Sequence, residues 1–379
     1  MKALPGALRP AGGTQIEWAG RRLAFFAGSD YYRLSRHPAV RAAAREVLDR
    51  EGLNVAASRL TTGNHPLYEE LEAWLAEFFV APAALLVHAG YAANPIVAQA
   101  LAGEITHAFL DARTHPSLRE AAVWLDCPVR EYAHGDGEDL RREFRRLPAN
   151  ARPLVLTDGL FAHDGSLAPL PDLLEILPRR GRLLLDEAHA AGVLGPGGRG
   201  MLEHWSVADP RIIRTATLSK AFGAFGGVVL GSRALLERIV LRNYWFAGST
   251  PPPLPVIAAA RAAGLLIQTD AAMRERLRAH TAQLKAAARA AGLSVPDNPA
   301  PILALPPAGP AATRRLRRVL LARGVFPSLI RGYPAGPAAG CFRFTVSSEH
   351  TAEQLTALTS ALVDHFGAPA RPLTASRRG

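Results

Sequence analysis

Short apolar runs alternate with helix-length stretches between about residues 40 and 250, and this alternation constrains the fold more than any other feature of the chain. Stretches such as NPIVAQALAG and DLRREFRRL separate the runs and have a helical pattern. The runs are ALLVHAG, THAFLDA, PVREYAH, PLVLTDG, GRLLLDEA, IRTATLS and GGVVLGS. Short apolar strands separated by helices are typical of a mostly parallel sheet that is covered on both faces. The sequence therefore predicts an α/β fold.

The pattern changes after residue 250 and indicates a second, smaller domain. The segment STPPPLPV (249–256) interrupts the alternation, and the alanine-rich stretch 256–292 that follows is predicted to be one long helical region. The segments PILALPP, FPSLIR and CFRFTVSS then have the composition of strands, and TAEQLTALTSALVDHF that of a last helix. We predict four parts: an N-terminal segment 1–40, a large domain 41–255, a small α+β domain 256–366 and a disordered tail 367–379.

One lysine, Lys220, lies among small and apolar residues in TATLSKAFGAFGG, a stretch without any carboxylate. It follows a predicted strand, and ligands of open α/β sheets bind at the carboxyl ends of the strands. Burial in an apolar pocket lowers the pKa of a lysine, and the neutral amine is the nucleophile that forms a Schiff base. Taken alone, Lys220 could equally be a surface lysine that points into solvent.

Further candidate side chains follow three other predicted strands. Asp186 ends the apolar run RLLLD, and its carboxylate needs a partner there: a protonated pyridine nitrogen, a structural salt bridge or a metal. No second His or Asp stands nearby at metal-ligand spacing, so no metal site is predicted. The turn VHAGYAAN (87–94) suits a phosphate, because glycine exposes backbone N–H groups at a helix N-terminus. His115, in DARTHPSL, could stack on a flat ring.

The segment GPGGRG (195–200) has the letters of a dinucleotide-binding motif, but not its position. Eight residues separate it from Asp186, and no second strand follows at the required distance. We predict a glycine-rich surface loop, and a NAD-dependent oxidoreductase is the alternative.

The chain is basic, with 44 Lys and Arg against 33 Asp and Glu and a net charge of +11. Nucleic-acid binding would use such a charge, but the basic residues are spread over predicted helices, so we predict no nucleic-acid partner. No apolar run approaches the roughly 20 residues of a membrane span. Cys127 and Cys341 imply no disulfide framework, and we expect a cytoplasmic protein.

In their length and order, these motifs resemble those of the α-oxoamine synthases, pyridoxal 5'-phosphate (PLP) enzymes of fold type I. The resemblance runs from about Phe25 to Leu362. Its motifs are SDYYRLSRHP, SRLTTGNHPLYEELE, GYAANPIV, DARTHPSLREA, TDGLFAHDGSLAPL, LLLDEAHAAGVLGPGGRG, TLSKAFG and FRFTVSSEHT. The resemblance implies an aspartate-aminotransferase-like architecture, with a mostly parallel sheet in the large domain and a smaller α+β C-terminal domain.

The resemblance also implies a role for each matching residue. Lys220 matches the lysine that forms the Schiff base with PLP and moves the Cα proton, and Asp186 matches the partner of the pyridine nitrogen. His189 matches the residue that hydrogen-bonds the phenolic oxygen of PLP, and His115 matches the histidine that stacks on its ring. The phosphate-binding positions are matched by Gly90, Tyr91, Thr217 and Ser219. Arg343 matches the arginine that pairs with the carboxylate of the amino acid.

Three positions depart from the family pattern. Ser29 begins Ser-Asp-Tyr where members often have Asn-Asp-Tyr, and it is expected beside the substrate. Ala162 replaces a frequent serine, and His163 follows it. Ser249 is the nearest candidate for a phosphate-binding threonine that the neighbouring subunit usually contributes.

The implied activity is the decarboxylative condensation of an amino acid with an acyl thioester, which releases CoA and CO2. L-alanine and a pimeloyl thioester, the pair used in biotin synthesis, are the favoured substrates, carried on CoA or on an acyl-carrier protein. A glycine-using CoA ligase, a serine palmitoyltransferase-like synthase and an aminotransferase on the same fold are the alternatives. The family implies a homodimer with shared active sites, and the charge of +11 fits the phosphates of CoA.

Overall fold

The computed structural model describes residues 6–305, 309–331 and 340–367, so the predicted tail lies outside the described residues except for Gly367. Within these ranges the strands are β1 (Arg9–Pro10), β2 (Gln15–Trp18), β3 (Arg21–Ala24), β4 (Ala83–Val87), β5 (His107–Asp111), β6 (Val129–Tyr132), β7 (Pro153–Asp158), β8 (Arg182–Asp186), β9 (Ile212–Thr217), β10 (Gly227–Gly231), β11 (Ile302–Leu305), β12 (Leu329–Ile330) and β13 (Cys341–Thr345). The helices are α1 (Pro38–Glu51), α2 (Pro66–Phe78), α3 (Gly90–Leu101), α4 (Pro116–Val123), α5 (Gly137–Phe144), α6 (Leu170–Ile176), α7 (Met201–Trp205), α8 (Arg233–Arg242), α9 (Tyr244–Gly248), α10 (Leu254–Thr269), α11 (Ala271–Ala290), α12 (Gly309–Ala322) and α13 (Ala352–Phe366).

The large sheet has the order β4-β10-β9-β8-β7-β5-β6, and each strand-like run of the first pattern overlaps one of its strands. The pairs β9–β8, β8–β7, β7–β5 and β5–β6 are parallel, and β10 is antiparallel to both of its neighbours. The prediction of a mostly parallel α/β sheet is therefore confirmed. Because β4 and β9 both lie antiparallel to β10, their carboxyl ends reach the same edge as those of β7 and β8.

Helices cover both faces of this sheet, which explains why its strands read as continuous apolar runs. Successive residues of a strand point to opposite faces, and Leu183 and Leu185 accordingly belong to one buried cluster whereas Leu184 belongs to another. The first cluster also contains residues of α1, α2, α6 and α10, and the second contains residues of α3, α4 and α8.

A third buried cluster forms around the small sheet, whose order is β11-β13-β12. It joins Phe344 of β13 and Leu358 of α13 to Ala24 and Phe26 of the N-terminal segment. Backbone hydrogen bonds extend this contact, since Ala24 N donates to Gly324 O. The three strands predicted after residue 300 are confirmed. The exact domain boundaries stay a prediction; α10 packs in the cluster over the large sheet, whereas Leu284 and Ala288 of α11 belong to the third cluster.

The region predicted as one long helical stretch, 256–292, consists of two helices. Asp270 separates them, because its side chain accepts a hydrogen bond from Met273 N at 2.8 Å and so caps α11. The two helices meet at 77°. No single helix within the described ranges is long and apolar enough to span a membrane, and only this bent pair meets that test of length and composition when joined.

The segment GPGGRG is a loop, as predicted, but half of it is buried rather than on the surface. Its backbone wraps around one carboxylate: Gly197 N donates to both oxygens of Glu203 at 3.0 Å, and Arg199 N donates at 2.9 Å. A Cβ at Gly200 would lie 1.8 Å from Glu187 Oε2, and its φ is +90°, so glycine is required there. These glycines allow the backbone to pack closely around Glu187 and Glu203. They do not form the turn between a strand and a helix that a dinucleotide-binding motif requires.

Candidate active site

The predicted site residues come together at the carboxyl edge of the large sheet. Asp158 and Asp186 are register partners at the ends of β7 and β8, and Asp186 also pairs with Thr215 of β9. Lys220 follows β9 by three residues, and His189 follows β8 by three residues. The helix α3 begins at the same edge, since β4 ends there. A cluster of carboxylates, imidazoles and an amine at this edge is typical of an α/β ligand site.

Lys220 is held in a largely desolvated position. Burial lowers its pKa, the carboxylates of Asp186 and Asp158 oppose that shift, and the charge of Arg343 adds to it. The amine therefore lies within electrostatic reach of both carboxylates, as the lysine of a Schiff-base enzyme should. The chain has only two other lysines: Lys2 lies outside the described residues, and Lys285 Nζ donates to Asn298 O and Oδ1 at 2.7 Å.

Both oxygens of Asp186 accept hydrogen bonds inside the fold. Ala188 N donates to Oδ1 at 2.8 Å, and Asn94 Nδ2 donates to Oδ2 at 2.7 Å. Among the described residues no basic side chain forms an ion pair with Asp186, and no His, Cys, Asp or Glu group suited to a metal occurs. Each carboxylate oxygen keeps a free lone pair that can accept from a ring nitrogen.

His115 caps the N-terminus of α4 with its ring. Ser117 N donates to His115 Nδ1 at 3.2 Å, and Ser117 Oγ lies 2.8 Å from the same nitrogen. The backbone N of His115 donates to Asp158 Oδ2 at 2.8 Å. Burial and the charge of Lys220 lower the pKa of His115, while Asp186 opposes the shift. The ring is thus neutral near pH 7, with Nδ1 as an acceptor and the proton on Nε2.

His189 contacts a residue to which we had assigned no role. Tyr31 Oη lies 2.7 Å from His189 Nδ1, and both side chains are buried. Burial raises the pKa of Tyr31, so its phenol keeps its proton. Burial, with the charges of Lys220 and Arg343, lowers the pKa of His189 well below its ordinary value. Tyr31 lies in the quoted motif SDYYRLSRHP, but only the fold brings that segment to a histidine 158 residues away.

A close backbone approach forms the predicted phosphate turn. A Cβ at Gly90 would lie 2.5 Å from Cβ and Oγ1 of Thr217, so no larger residue fits. Ser219 N donates to Thr217 Oγ1 at 3.2 Å, and the two hydroxyls lie 3.1 Å apart. Gly90, Thr217 and Ser219 are therefore adjacent at the N-terminus of α3. The side chain of Tyr91 is half-exposed and donates to Glu120 Oε2 at 2.8 Å.

The three remaining predicted residues are Arg343, Ser29 and Ser249, and they differ in the contacts that link them to the site. Arg343 Nη1 donates to Ala162 O at 2.9 Å, and its charge affects the pKa values of Tyr31, His189 and Lys220. Ser29 lies two residues before Tyr31, and its carbonyl accepts from Tyr31 N at 3.0 Å. Ser249 instead lines a cleft with Arg59, Val87 and His88, and no hydrogen bond between described residues joins it to Lys220 or Asp186.

Asp158 and Asn94 belong to the site, but the sequence analysis gave them no role. Burial and the charge of Asp186 raise the pKa of Asp158 well above its ordinary value. Its position could have been found, because Asp158 ends the apolar run PLVLTD just as Asp186 ends RLLLD. Asn94 was part of the quoted motif GYAANPIV, but its contact with Asp186 crosses 92 residues and depends on the tertiary fold.

Comparisons with known proteins agree with this geometry. The model of the family "Aminotransferase class I and II" matches residues 26–362. The chain is 38% identical over 342 residues to an 8-amino-7-oxononanoate synthase from Methylococcus capsulatus, covering 89% of this chain and 88% of that protein. It is 35% identical over 353 residues to the enzyme of the same name from Nitrosococcus oceani, covering 93% of each.

A solved structure extends the comparison to three dimensions. A serine palmitoyltransferase from S. paucimobilis, with a bound PLP–myriocin aldimine, superposes with a TM-score of 0.88 at 25% identity, covering 95% of this chain and 92% of that one. The predicted family resemblance and the fold type are thereby confirmed. This chain belongs to the aminotransferase class I and II family.

Proposed function

We propose that this protein is a PLP-dependent synthase that condenses an amino acid with an acyl thioester, as an 8-amino-7-oxononanoate synthase does. The observation that carries the proposal is the similarity to enzymes of that name along about nine-tenths of the chain. The arrangement of Lys220, Asp186, the buried His189 and the half-buried His115 supports it, because this set of groups suits a flat, charged aromatic aldehyde.

The residues of the site fit PLP at each of its polar groups. The phosphate fits the space beside Gly90, which a Cβ at that position would fill. The hydroxyls of Thr217 and Ser219 lie next to this space. Asp186 would accept from the pyridine nitrogen, and Lys220 would supply the amine for covalent attachment. When bound, PLP supplies an electron sink for a carbanion at the Cα of the substrate.

The two histidines complete the cofactor site in their neutral forms. His189 would donate from Nε2 to the phenolic oxygen, because Tyr31 occupies its Nδ1. The ring of His115 would stack on the face of the cofactor. Tyr91 flanks His115, at 5.9 Å between ring centroids. We further propose that Ser249 reaches the phosphate of the neighbouring subunit in a homodimer.

Arg343 and Lys220 act on the amino acid itself. Arg343 Nη1 donates a hydrogen bond to Ala162 O. This bond fixes the plane of the guanidinium and leaves its other N–H groups free for a carboxylate. Ser29 lies beside Tyr31 at the same side of the site. Lys220 moves the Cα proton, since burial lowers its pKa and so favours the neutral base.

The acyl donor is a thioester with a polyanionic carrier, to which the net charge of +11 is suited. We propose L-alanine and a pimeloyl thioester as substrates in the cytoplasm. Condensation releases the carrier thiol and CO2. The product joins the Cα and amino group of the amino acid to the acyl group of the thioester.

The test is a thiol-release assay on the PLP-loaded protein with single amino acids and a panel of CoA and acyl-carrier-protein thioesters. We expect thiol release that requires L-alanine and is greatest with the pimeloyl group. Lys220→Ala should abolish it, whereas the matched variant Lys285→Ala should retain it. Formation of a keto acid without thiol release would instead identify an aminotransferase and contradict the proposal.

A further inference from the structure

We infer that Asn94 is a positioning residue, whose single buried amide fixes the carboxylate of Asp186 and holds the Ser117 hydroxyl that contacts the ring of His115. The inference rests on the proposed function, because Asp186 and His115 are its proposed cofactor contacts. Asn94 lies in α3, one turn after the phosphate turn, and is completely buried. Its side chain reaches the centre of the site from the helix rather than from a strand end.

The orientation of the Asn94 amide is determined by its surroundings. Thr215 Oγ1 lies 2.6 Å from Asn94 Oδ1, and Asp186 Oδ2 lies 2.7 Å from Asn94 Nδ2. A carboxylate can only accept, so the amide must turn its NH2 group toward Asp186. The Thr215 hydroxyl must then donate to Oδ1. Thr215 is itself buried in β9, where it pairs in register with Asp186.

The second N–H of the same amide holds the hydroxyl that contacts His115. Asn94 Nδ2 donates to Ser117 Oγ at 2.9 Å, so this hydroxyl has its own proton free to donate. His115 Nδ1 lies 2.8 Å from Ser117 Oγ and also accepts from Ser117 N. Because Ser117 N donates to Nδ1, the neutral ring carries its proton on Nε2, and the Ser117 hydroxyl then donates to Nδ1 as well. Asn94 thus reaches His115 through one hydroxyl.

The consequence for Asp186 is geometric. Its two oxygens are each held by one donor, Ala188 N from the following turn and Asn94 from the helix. The plane of the carboxylate is therefore fixed before any ligand binds, and the remaining lone pairs face the site. A fixed acceptor loses less conformational freedom when a ring nitrogen docks against it, so cofactor affinity depends on Asn94 and on Thr215.

A purely structural role for Asn94 would be to hold α3 against the sheet, and the chain offers a matched control for that role. Asn243 is also buried, and its Nδ2 donates to Ile96 O at 3.2 Å and to Gln99 Oε1 at 2.7 Å, both on α3. It is outside the proposed site. Asn243→Asp and Asn94→Asp therefore make the same chemical change beside the same helix.

The experiment measures the dissociation constant of PLP and the visible absorption spectrum of the PLP-loaded protein against pH, with the thiol-release assay run alongside. We expect Asn94→Asp to weaken PLP binding by about 10–100-fold, the size of effect that follows when the hydrogen-bond partner of a metal-ligating residue is removed. Asn243→Asp should bind PLP as the wild type does and keep its spectrum. Equal losses in the two variants would overturn the inference.

A second pair of variants tests the role of Asn94 even if Asn94→Asp does not fold. Thr215→Val removes the hydroxyl that orients the amide, and Thr215→Ser retains it. We expect Thr215→Val to weaken PLP binding by about tenfold and Thr215→Ser to restore it. Equal affinity of the Val and Ser variants would contradict the inference. Failure of the wild-type protein itself to bind PLP would overturn the proposed function instead.

Discussion

The hydrogen bond from Tyr31 to His189 leads to a quantitative prediction. Tyr31→Phe removes one hydroxyl from a side chain that is only 1% exposed, and it leaves the ring in place. The hydroxyl lies 2.7 Å from His189 Nδ1, and among the described residues it has no other hydrogen-bond partner. In the variant this buried nitrogen loses its donor, and the ring can then place its proton on either nitrogen.

The size of the effect follows from that lost donor. A buried acceptor without a partner costs about 1–3 kcal/mol. This cost destabilises the tautomer of His189 in which Nε2 can donate to the cofactor. We therefore expect kcat/KM to fall by about 5–150-fold, since each 1.36 kcal/mol corresponds to a factor of about ten. The fold should lose no more than about 1–3 kcal/mol of unfolding free energy, so the variant remains folded.

The neighbouring residue provides the control. Tyr32 is 2% exposed, and its hydroxyl donates to Gly192 O at 2.7 Å, so Tyr32→Phe removes an equally short and equally buried hydrogen bond. Thiol-release kinetics and urea unfolding would be measured for both variants. We expect similar losses of stability, but a loss of kcat/KM only in Tyr31→Phe. Equal activity of the two variants would refute the argument that Tyr31 determines the tautomer of His189.

Three further predictions concern the amine, the phosphate turn and the response to acid. Lys220→Ala should lose the visible absorbance of the PLP-loaded protein, whereas Lys285→Ala should keep it; an unchanged spectrum in Lys220→Ala would mean that another group holds the cofactor. Gly90→Ala would place a Cβ 2.5 Å from Thr217 and should weaken PLP binding by about 5–150-fold, as about 1–3 kcal/mol of overpacking implies. Gly137→Ala, whose new Cβ would meet Ile176 at an ordinary 3.8 Å, should bind PLP normally, and a similar loss in both variants would exclude local crowding as the cause. Burial, with the charge of Arg33, lowers the pKa of His350 from 6.5 to about 3, so the unfolded chain binds a proton that the native state excludes. The unfolding free energy should therefore fall as the pH drops from 6.5 toward 3, by up to about 1.4 kcal/mol per pH unit from this residue, and urea unfolding at pH 7 and pH 5 should show a smaller fall for His350→Gln.

The parts of the site that could be predicted from sequence are those at strand ends. Lys220, Asp186 and His189 each follow an apolar run by a few residues, and the parallel sheet then brings them to one edge. The same rule would have found Asp158, which ends its strand in the same way. Local pattern was sufficient here because strand register alone decides which residues become neighbours.

Tyr31 and Asn94 could not be predicted in this way. Each acts through a contact that spans 158 or 92 residues and depends on how a helix or a terminal segment lies over the sheet. Neither residue stands at a strand end, and neither carries a charge that the sequence must explain. Their motifs were visible, but a motif does not show which side chain of it faces the site.

The fold, like the site, could be predicted from sequence only in part. Alternating apolar runs gave the large sheet strand by strand, because burial on both faces leaves a strong signal. The break between α10 and α11 was missed, although Asp270 is a residue type that favours helix N-caps. The alanine-rich composition on both sides continues the helical pattern and conceals the cap. The role proposed for Ser249 requires a second subunit, which no pattern within one chain describes.

The claim on which this account depends is that Lys220 is the amine that holds the cofactor. Reduction of the PLP-loaded protein with borohydride, followed by peptide mass analysis, tests it directly, because the chain has only three lysines. The account predicts one equivalent of reduced pyridoxyl phosphate on the peptide that contains Lys220, and none on those that contain Lys2 or Lys285. A label on either of the other lysines, with Lys220 unmodified, would contradict it.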